Sequence, residues 1–203
     1  MQRLLSGYRH FRAETWPAQR DRFAELAASG QHPHTMVVAC SDSRVDPAVI
    51  FAAAPGEMFI VRNVANLVPP YAPDAAYHGT SAALEFGVRV LGVSRLVVMG
   101  HAGCGGVRAL LDGAPEEAGD FVAGWMHIAE EARRRVLACT PAEDRQEACE
   151  LETVRLSLAN LLTFPWVREA VEAGRLRLFG THFGVATGRL LFLDPGTDEF
   201  KPA

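Results

Sequence analysis

Two thiols and an imidazole stand out in this chain of 203 residues, because each follows a short apolar run. Met36-Val37-Val38-Ala39 leads into Cys40-Ser41-Asp42-Ser43-Arg44, and Arg95-Leu96-Val97-Val98-Met99 leads into Gly100-His101-Ala102-Gly103-Cys104-Gly105-Gly106. Two thiolates and one imidazole match the softness of zinc, and three protein ligands leave a fourth tetrahedral position for water. That vacancy distinguishes a catalytic from a structural metal site. His-x-x-Cys also occurs by chance in buried cores, and Asp42 could close the fourth position permanently, so both readings stay open at this point. Asp42 and Arg44 can pair as carboxylate and guanidinium, which keeps Asp42 ionised as an acceptor able to orient a hydroxide. The alternative is a solvated surface pair worth at most about 1 kcal/mol. Gly103, Gly105 and Gly106 permit a tight turn into a helix whose first N–H groups could face an oxyanion. Cys139 and Cys149 lie on polar, helix-like segments without a His or Cys at ligand spacing and read as incidental.

Positioning these groups requires strands. The runs at Met36 to Ala39, Met58 to Val61 and Arg95 to Met99 are too short for helices and read as buried parallel strands. Thr80 to Leu91 and Val107 to Leu111 have helical spacing, and strand, helix, strand is a βαβ signature. In an open parallel sheet ligands bind beyond the carboxyl ends of strands, so the two loops are expected to share one crevice. Thr15 before Trp16-Pro17 reads as a helix start, within an amino-terminal helical arm over residues 1–30. Asp120 to Leu137, Glu143 to Leu162 and Pro165 to Gly174 read as further helices. Arg175 to Gly180 and Arg189 to Asp194 read as an antiparallel pair at the sheet edge, joined by the turn His182 to Gly188. The expected fold is α/β, a mostly parallel central sheet with an antiparallel edge strand and flanking helices, forming one zinc-binding domain over 1–203.

Composition narrows the class. Hydrophobic residues are 49% and charged residues 22%, so the chain has the means to fold, and a net charge of −4 provides no basic field for nucleic acid. No run is long and apolar enough to span a membrane, and no apolar signal segment opens the chain, which reads as cytoplasmic. A P-loop, a GxGxxG turn and the deaminase pattern His-x-Glu with Pro-Cys-x-x-Cys are all absent.

Three blocks carry a resemblance. Ala39-Cys40-Ser41-Asp42-Ser43-Arg44-Val45, then Pro55-Gly56-Glu57-Met58-Phe59-Ile60-Val61-Arg62-Asn63-Val64-Ala65-Asn66, then Gly100 to Gly106 strongly resemble the β-class carbonic anhydrases, in family order and spacing. The likeness is strong from about Gln31 to Leu111 and looser through Asn160-Leu161-Leu162 to the strand at Gly188-Arg189-Leu190.

That resemblance implies one zinc ion per subunit on Cys40, His101 and Cys104, with Asp42 and Arg44 as the catalytic dyad. The implied reaction is reversible hydration of carbon dioxide to bicarbonate and a proton by attack of zinc-bound hydroxide. Hydrolysis of a sulfur analogue such as carbon disulfide, and a non-catalytic zinc module, are the alternatives. By position, Gln31 and Phe59 match a glutamine and a phenylalanine of the substrate pocket, Phe86 stands where plant-type members carry a tyrosine, and Gly105 matches a glycine whose N–H faces substrate. Val37 replaces the tryptophan of a bicarbonate-regulated subset, so an open, plant-type site is expected, with Arg62 in a structural ion pair. The resemblance also implies a homodimer or larger homo-oligomer, with the amino-terminal arm packed on the partner subunit, and no nucleic-acid or membrane partner. No spacing marks a proton shuttle among His10, His32, His34, His78, His127 and His182, although His32 and His34 flank the pocket glutamine.

Overall fold

A computed structural model describes residues 1–74 and 76–203. The chain opens with helix α1 (Gln2–His10), a π turn at Phe11–Thr15, and α2 (Trp16–Ser29). The expected helix start at Thr15 is therefore corrected: Thr15 is helical and makes no cap hydrogen bond. Pro17 lacks an N–H and its ring crowds the carbonyl four residues back. The π turn absorbs this mismatch, with Trp16 N–H reaching back to Phe11 O.

Then follow β1 (Thr35–Cys40), α3 (Pro47–Ile50), β2 (Met58–Asn63), a 3₁₀ turn at Val64–Asn66, α4 (Gly79–Glu85) and β3 (Arg95–His101). The second half contains α5 (Gly105–Asp112), α6 (Val122–Met126), α7 (Glu130–Cys139), α8 (Arg145–Leu161), α9 (Pro165–Glu172), β4 (Arg177–Phe183), β5 (Leu190–Asp194) and β6 (Glu199–Pro202). Asp120 to Leu137 is two helices rather than the expected one. Gly119 and Gly124 weaken helix propensity there, and packing of buried Met126 and Ala129 decides the path.

The six strands lie in the order β2-β1-β3-β4-β5-β6. β1 pairs in parallel with β2 and β3, and β3 with β4; β5 runs antiparallel to β4, and β6 antiparallel to β5. Sequence reading missed β6, whose four residues end in Pro202, a residue suited only to an edge. β4 also continues past Gly180 to Phe183, because it pairs with β3 on one side and β5 on the other.

From β1 the chain turns outward to β2 on one side, and from β3 outward to β4 on the other. The carboxyl ends of β1 and β3 are therefore a topological switch point, where an open sheet leaves a crevice. Both faces are covered: Val37, Ala39 and Met99 join one apolar cluster, Met36, Val38, Leu96 and Val98 the other. Burial on both sides explains why β1 reads as a continuous apolar run without alternation. By contrast, α1 and α2 bury none of their residues. Leu26 of α2 packs over Gly56, where φ is +86° and an added Cβ would lie 2.6 Å from a Leu26 methyl. No described helix is long and apolar enough to cross a membrane.

Candidate active site

Cys40 ends β1, His101 ends β3, and Cys104 precedes the first turn of α5, so the topology delivers all three to one crevice. All three are buried, and their ligand atoms lie within 4.8 Å of one another. The two sulfurs are 3.9 Å apart. A tetrahedron with metal–sulfur bonds of roughly 2.3 Å has an edge of about 3.8 Å. His101 Nδ1 is 3.1 Å from the Ala102 carbonyl and donates to it, which leaves the lone pair of Nε2 aimed into the crevice. That Nε2 is buried without a hydrogen-bond partner, an arrangement costly in a protein interior unless an ion occupies the crevice. The donor set and its spacing fit zinc.

Backbone amides prepare the sulfurs for ionisation. Cys40 accepts from the N–H groups of Asp42 and Ala65, and Cys104 from those of Gly106 and Val107. Ala65 adopts φ +64°, a left-handed conformation uncommon outside glycine. Its neighbour explains the crowding: a Cβ on Gly106 would come 2.9 Å from Ala65 Cβ, so α5 closes onto the Val64–Asn66 turn only because residue 106 is glycine. A hydrogen bond from the Cys104 thiol lowers the Cys40 pKa despite burial, and the same bond together with burial raises that of Cys104. Burial opposes a charged His101, but the neighbouring Cys40 sulfur outweighs it and raises the imidazole pKa.

Asp42 and Arg44 meet as expected. Arg44 Nε lies 2.9 Å from Asp42 Oδ1 and an NH2 nitrogen 2.6 Å from Oδ2, while that nitrogen also donates to Gly103 O at 3.1 Å. These bonds hold the Asp42 carboxyl well below the usual carboxylate range and raise the Arg44 pKa. Asp42 Oδ2 stands 3.9 Å from His101 Nε2, beside the crevice without filling it. Arg62 secures the loop from below. It donates to Cys40 O (2.9 Å), Asp42 O (2.6 Å) and Asp46 Oδ2 (3.3 Å), and Asp46 in turn caps α3.

The proposed pocket residues are placed differently. Gly105 opens α5 with clear space over its Cα, next to the cluster. Phe59, however, lies opposite Met36 in the sheet register, four residues before Cys40 and roughly 13 Å along the strand. Phe86 stacks on Phe59 at 5.9 Å with 44% of its surface exposed, and Gln31 is exposed before β1. One chain does not bring these three to its own Cys-His-Cys cluster. An apolar groove of about 720 Å³, lined by Val64, Phe121 and Trp125 among others, opens beside Asn63, the register partner of Cys40.

The roles of three polar residues near Cys104 escaped sequence reading: buried Glu150 and half-buried Gln146 of α8, and buried His182 of β4. The available signal was Glu150, a charge on the stripe that also carries Val154, Ser157 and Leu161.

The carbonic anhydrase family profile matches residues 35–190. A carbonic anhydrase of Pseudomonas aeruginosa is 39% identical over 202 residues, covering 98% of this chain and 90% of the relative. One from Synechococcus elongatus is 36% identical over 209 residues, covering 98% and 76%. Among solved structures, the β-carbonic anhydrase CcaA superposes with a TM-score of 0.94 at 34% identity, covering all of this chain and 92% of that one. One of two tetrameric β-carbonic anhydrases from Sordaria macrospora gives 0.82 at 28%, covering 95% of each. With likeness running through nearly the whole length, and with the Cys-His-Cys crevice inside the matched span, the chain belongs to the β-carbonic anhydrase family.

Proposed function

We infer that this enzyme, a zinc lyase that interconverts carbon dioxide and bicarbonate, holds one metal ion per subunit through Cys40, His101 and Cys104 and works with the Asp42–Arg44 pair. The observation that carries this reading is the buried, unpartnered His101 Nε2 facing two sulfurs 3.9 Å apart. Bound zinc supplies the chemistry of a strongly acidified water near neutral pH. Asp42, stripped of protons by Arg44, accepts a hydrogen bond and so orients the attacking oxygen. Arg44 keeps the carboxylate turned away from the metal position by gripping both of its oxygens. The Gly105 N–H, one of the free donors at the α5 terminus, faces the product's negative oxygen. Two anionic sulfurs place more charge on the metal than imidazoles do, so activity should rise above neutral pH.

Gln31, Phe59 and Phe86 act across a subunit boundary, lining the site of a second copy. Support comes from their position far along the sheet from Cys40 and from the exposed Phe86 ring. The arm at residues 1–30 packs on that partner; Leu4 and Tyr8 are 73% and 59% exposed, and Phe11, Trp16 and Phe23 cluster within 6.2 Å of one another. A homodimer or larger homo-oligomer covers this surface. Val37 and the intact Asp42–Arg44 pair favour the open-site subgroup. The four free cysteines suit a reducing compartment, the cytoplasm.

Stopped-flow hydration of carbon dioxide, run beside an assay of sulfide release from carbon disulfide, tests the substrate. Hydration should dominate by orders of magnitude. Comparable or faster sulfide release would transfer the assignment to the sulfur analogue, and zinc without hydration across the alkaline range would reduce the chain to a binding module.

A further inference from the structure

Against the backbone of Cys104 lies a polar group that the reaction does not use. Glu150 is 2% exposed and His182 3%, and the two meet where α8 packs on β4. Glu150 Oε1 accepts the Cys104 N–H at 2.9 Å, and Gln146 Nε2 donates to the Cys104 carbonyl at 3.1 Å. Gln146 Nε2 also donates to Glu150 Oε1 at 2.6 Å, while His182 Nε2 stands 3.2 Å from Oε2. The peptide groups on both sides of Cys104 are thus held from α8. Gly100 gives the room: a Cβ there would lie 2.8 Å from a Val154 methyl and 3.5 Å from His182 Cδ2.

A buried carboxyl group is costly unless hydrogen bonds satisfy it, and here Gln146 and Glu150 both bond the Cys104 backbone while His182 stands behind Glu150. Fixing both peptide planes of Cys104 fixes its Cα–Cβ direction, and with it the place of the sulfur. We propose that Gln146 and Glu150, with His182 backing Glu150, form a clamp on the Cys104 backbone that determines how long the metal is held. They are positioning residues; none touches the crevice. The inference rests on Cys104 being a metal ligand.

The test uses the zinc-loaded full chain, challenged with excess EDTA, and follows zinc release with time. Gln146→Leu and Glu150→Leu should release zinc at least about tenfold faster, the scale at which partners of metal ligands act. Glu150→Gln keeps an acceptor oxygen for the Cys104 N–H and should stay within about threefold of wild type. Ser157→Ala removes a buried hydroxyl two turns along α8, bonded to Asn66 O and Val68 N, and controls for lost stability. It should melt at a lower temperature and release zinc at the wild-type rate. In cobalt-substituted protein, the thiolate-to-metal absorption should shift in the leucine variants alone. Wild-type release in Gln146→Leu, or equal acceleration in Ser157→Ala, overturns the clamp. Gln146 is only half-buried, so its variant carries the test even if Glu150→Leu fails to fold. Zinc retained by Cys104→Ala would instead overturn the ligand assignment, a distinguishable failure.

Discussion

Arg44 grips Asp42 by both carboxylate oxygens, at 2.9 and 2.6 Å, and ties the same guanidinium to the Gly103 carbonyl of the opposite loop. The pair therefore links the loop after β1 to the loop after β3, the two segments that carry the sulfurs. A fork-shaped donor also fixes the plane of the carboxylate, which lysine could not do.

Asp42→Asn and Arg44→Ala should each lower turnover by one to three orders of magnitude, on the order of 1.4 to 4 kcal/mol of transition-state stabilisation. Asparagine presents a donor where an acceptor is needed, and loss of Arg44 frees Asp42 to rotate. Stopped-flow turnover and zinc content, measured together, check this: zinc should stay bound, and wild-type turnover in either variant contradicts the dyad.

Because Arg44 depresses the Asp42 pKa, the pair's contribution to stability is present above about pH 4 and is lost as pH falls through the lowered folded value. Asp42 stays ionised and paired through neutral pH. A zinc-loaded crystal grown below about pH 7.5 should accordingly show Asp42 on Arg44, and bicarbonate should inhibit as a simple product. A zinc–oxygen distance near 2.0 Å to Asp42, or steep cooperative inhibition, would place the enzyme in the regulated subset.

Cys149 is fully buried, and burial followed by the charges of Glu150 and Glu152 pushes its thiol up to about 12. Unfolded, the thiol ionises near pH 8.5. Stability from this group is thus complete below that pH and is lost as pH climbs toward 12, by about 1.4 kcal/mol per unit. Denaturant unfolding at pH 8 and pH 10 should show wild type losing more stability than Cys149→Ala. A parallel pH dependence in the two proteins would contradict the assignment.

Deletion of residues 1–28 should leave insoluble or inactive protein, since none of the residues in these helices is buried within their own chain. Light scattering with the hydration assay decides it. A fully active monomer after the deletion would defeat both the dimer and the shared pocket.

Much of the site was legible in sequence because strand ends are marked by composition: Cys40 and His101 each follow a β-branched run, and Asp42 and Arg44 share one loop. What escaped depends on contacts between distant segments. β6 is four residues long and carries little periodic signal. The π turn before Pro17 imitates a helix start, since proline favours first turns and the preceding helix has no buried face to betray it. Glu150 is a lone charge on the apolar stripe of α8, but its partners follow only from the fold, which sets Cys104 and His182 against it. Phe59 and Phe86 are legible as aromatic residues, but their distance from Cys40 is set by sheet register.

Hydration should depend on zinc held by Cys40, His101 and Cys104. Zinc analysis combined with stopped-flow carbon dioxide hydration, on wild type and Cys104→Ala, tests it most directly. Wild type should carry about one zinc per subunit and be active, and the variant should lose both metal and hydration. Undiminished zinc and activity in the variant would remove Cys104 from the metal site.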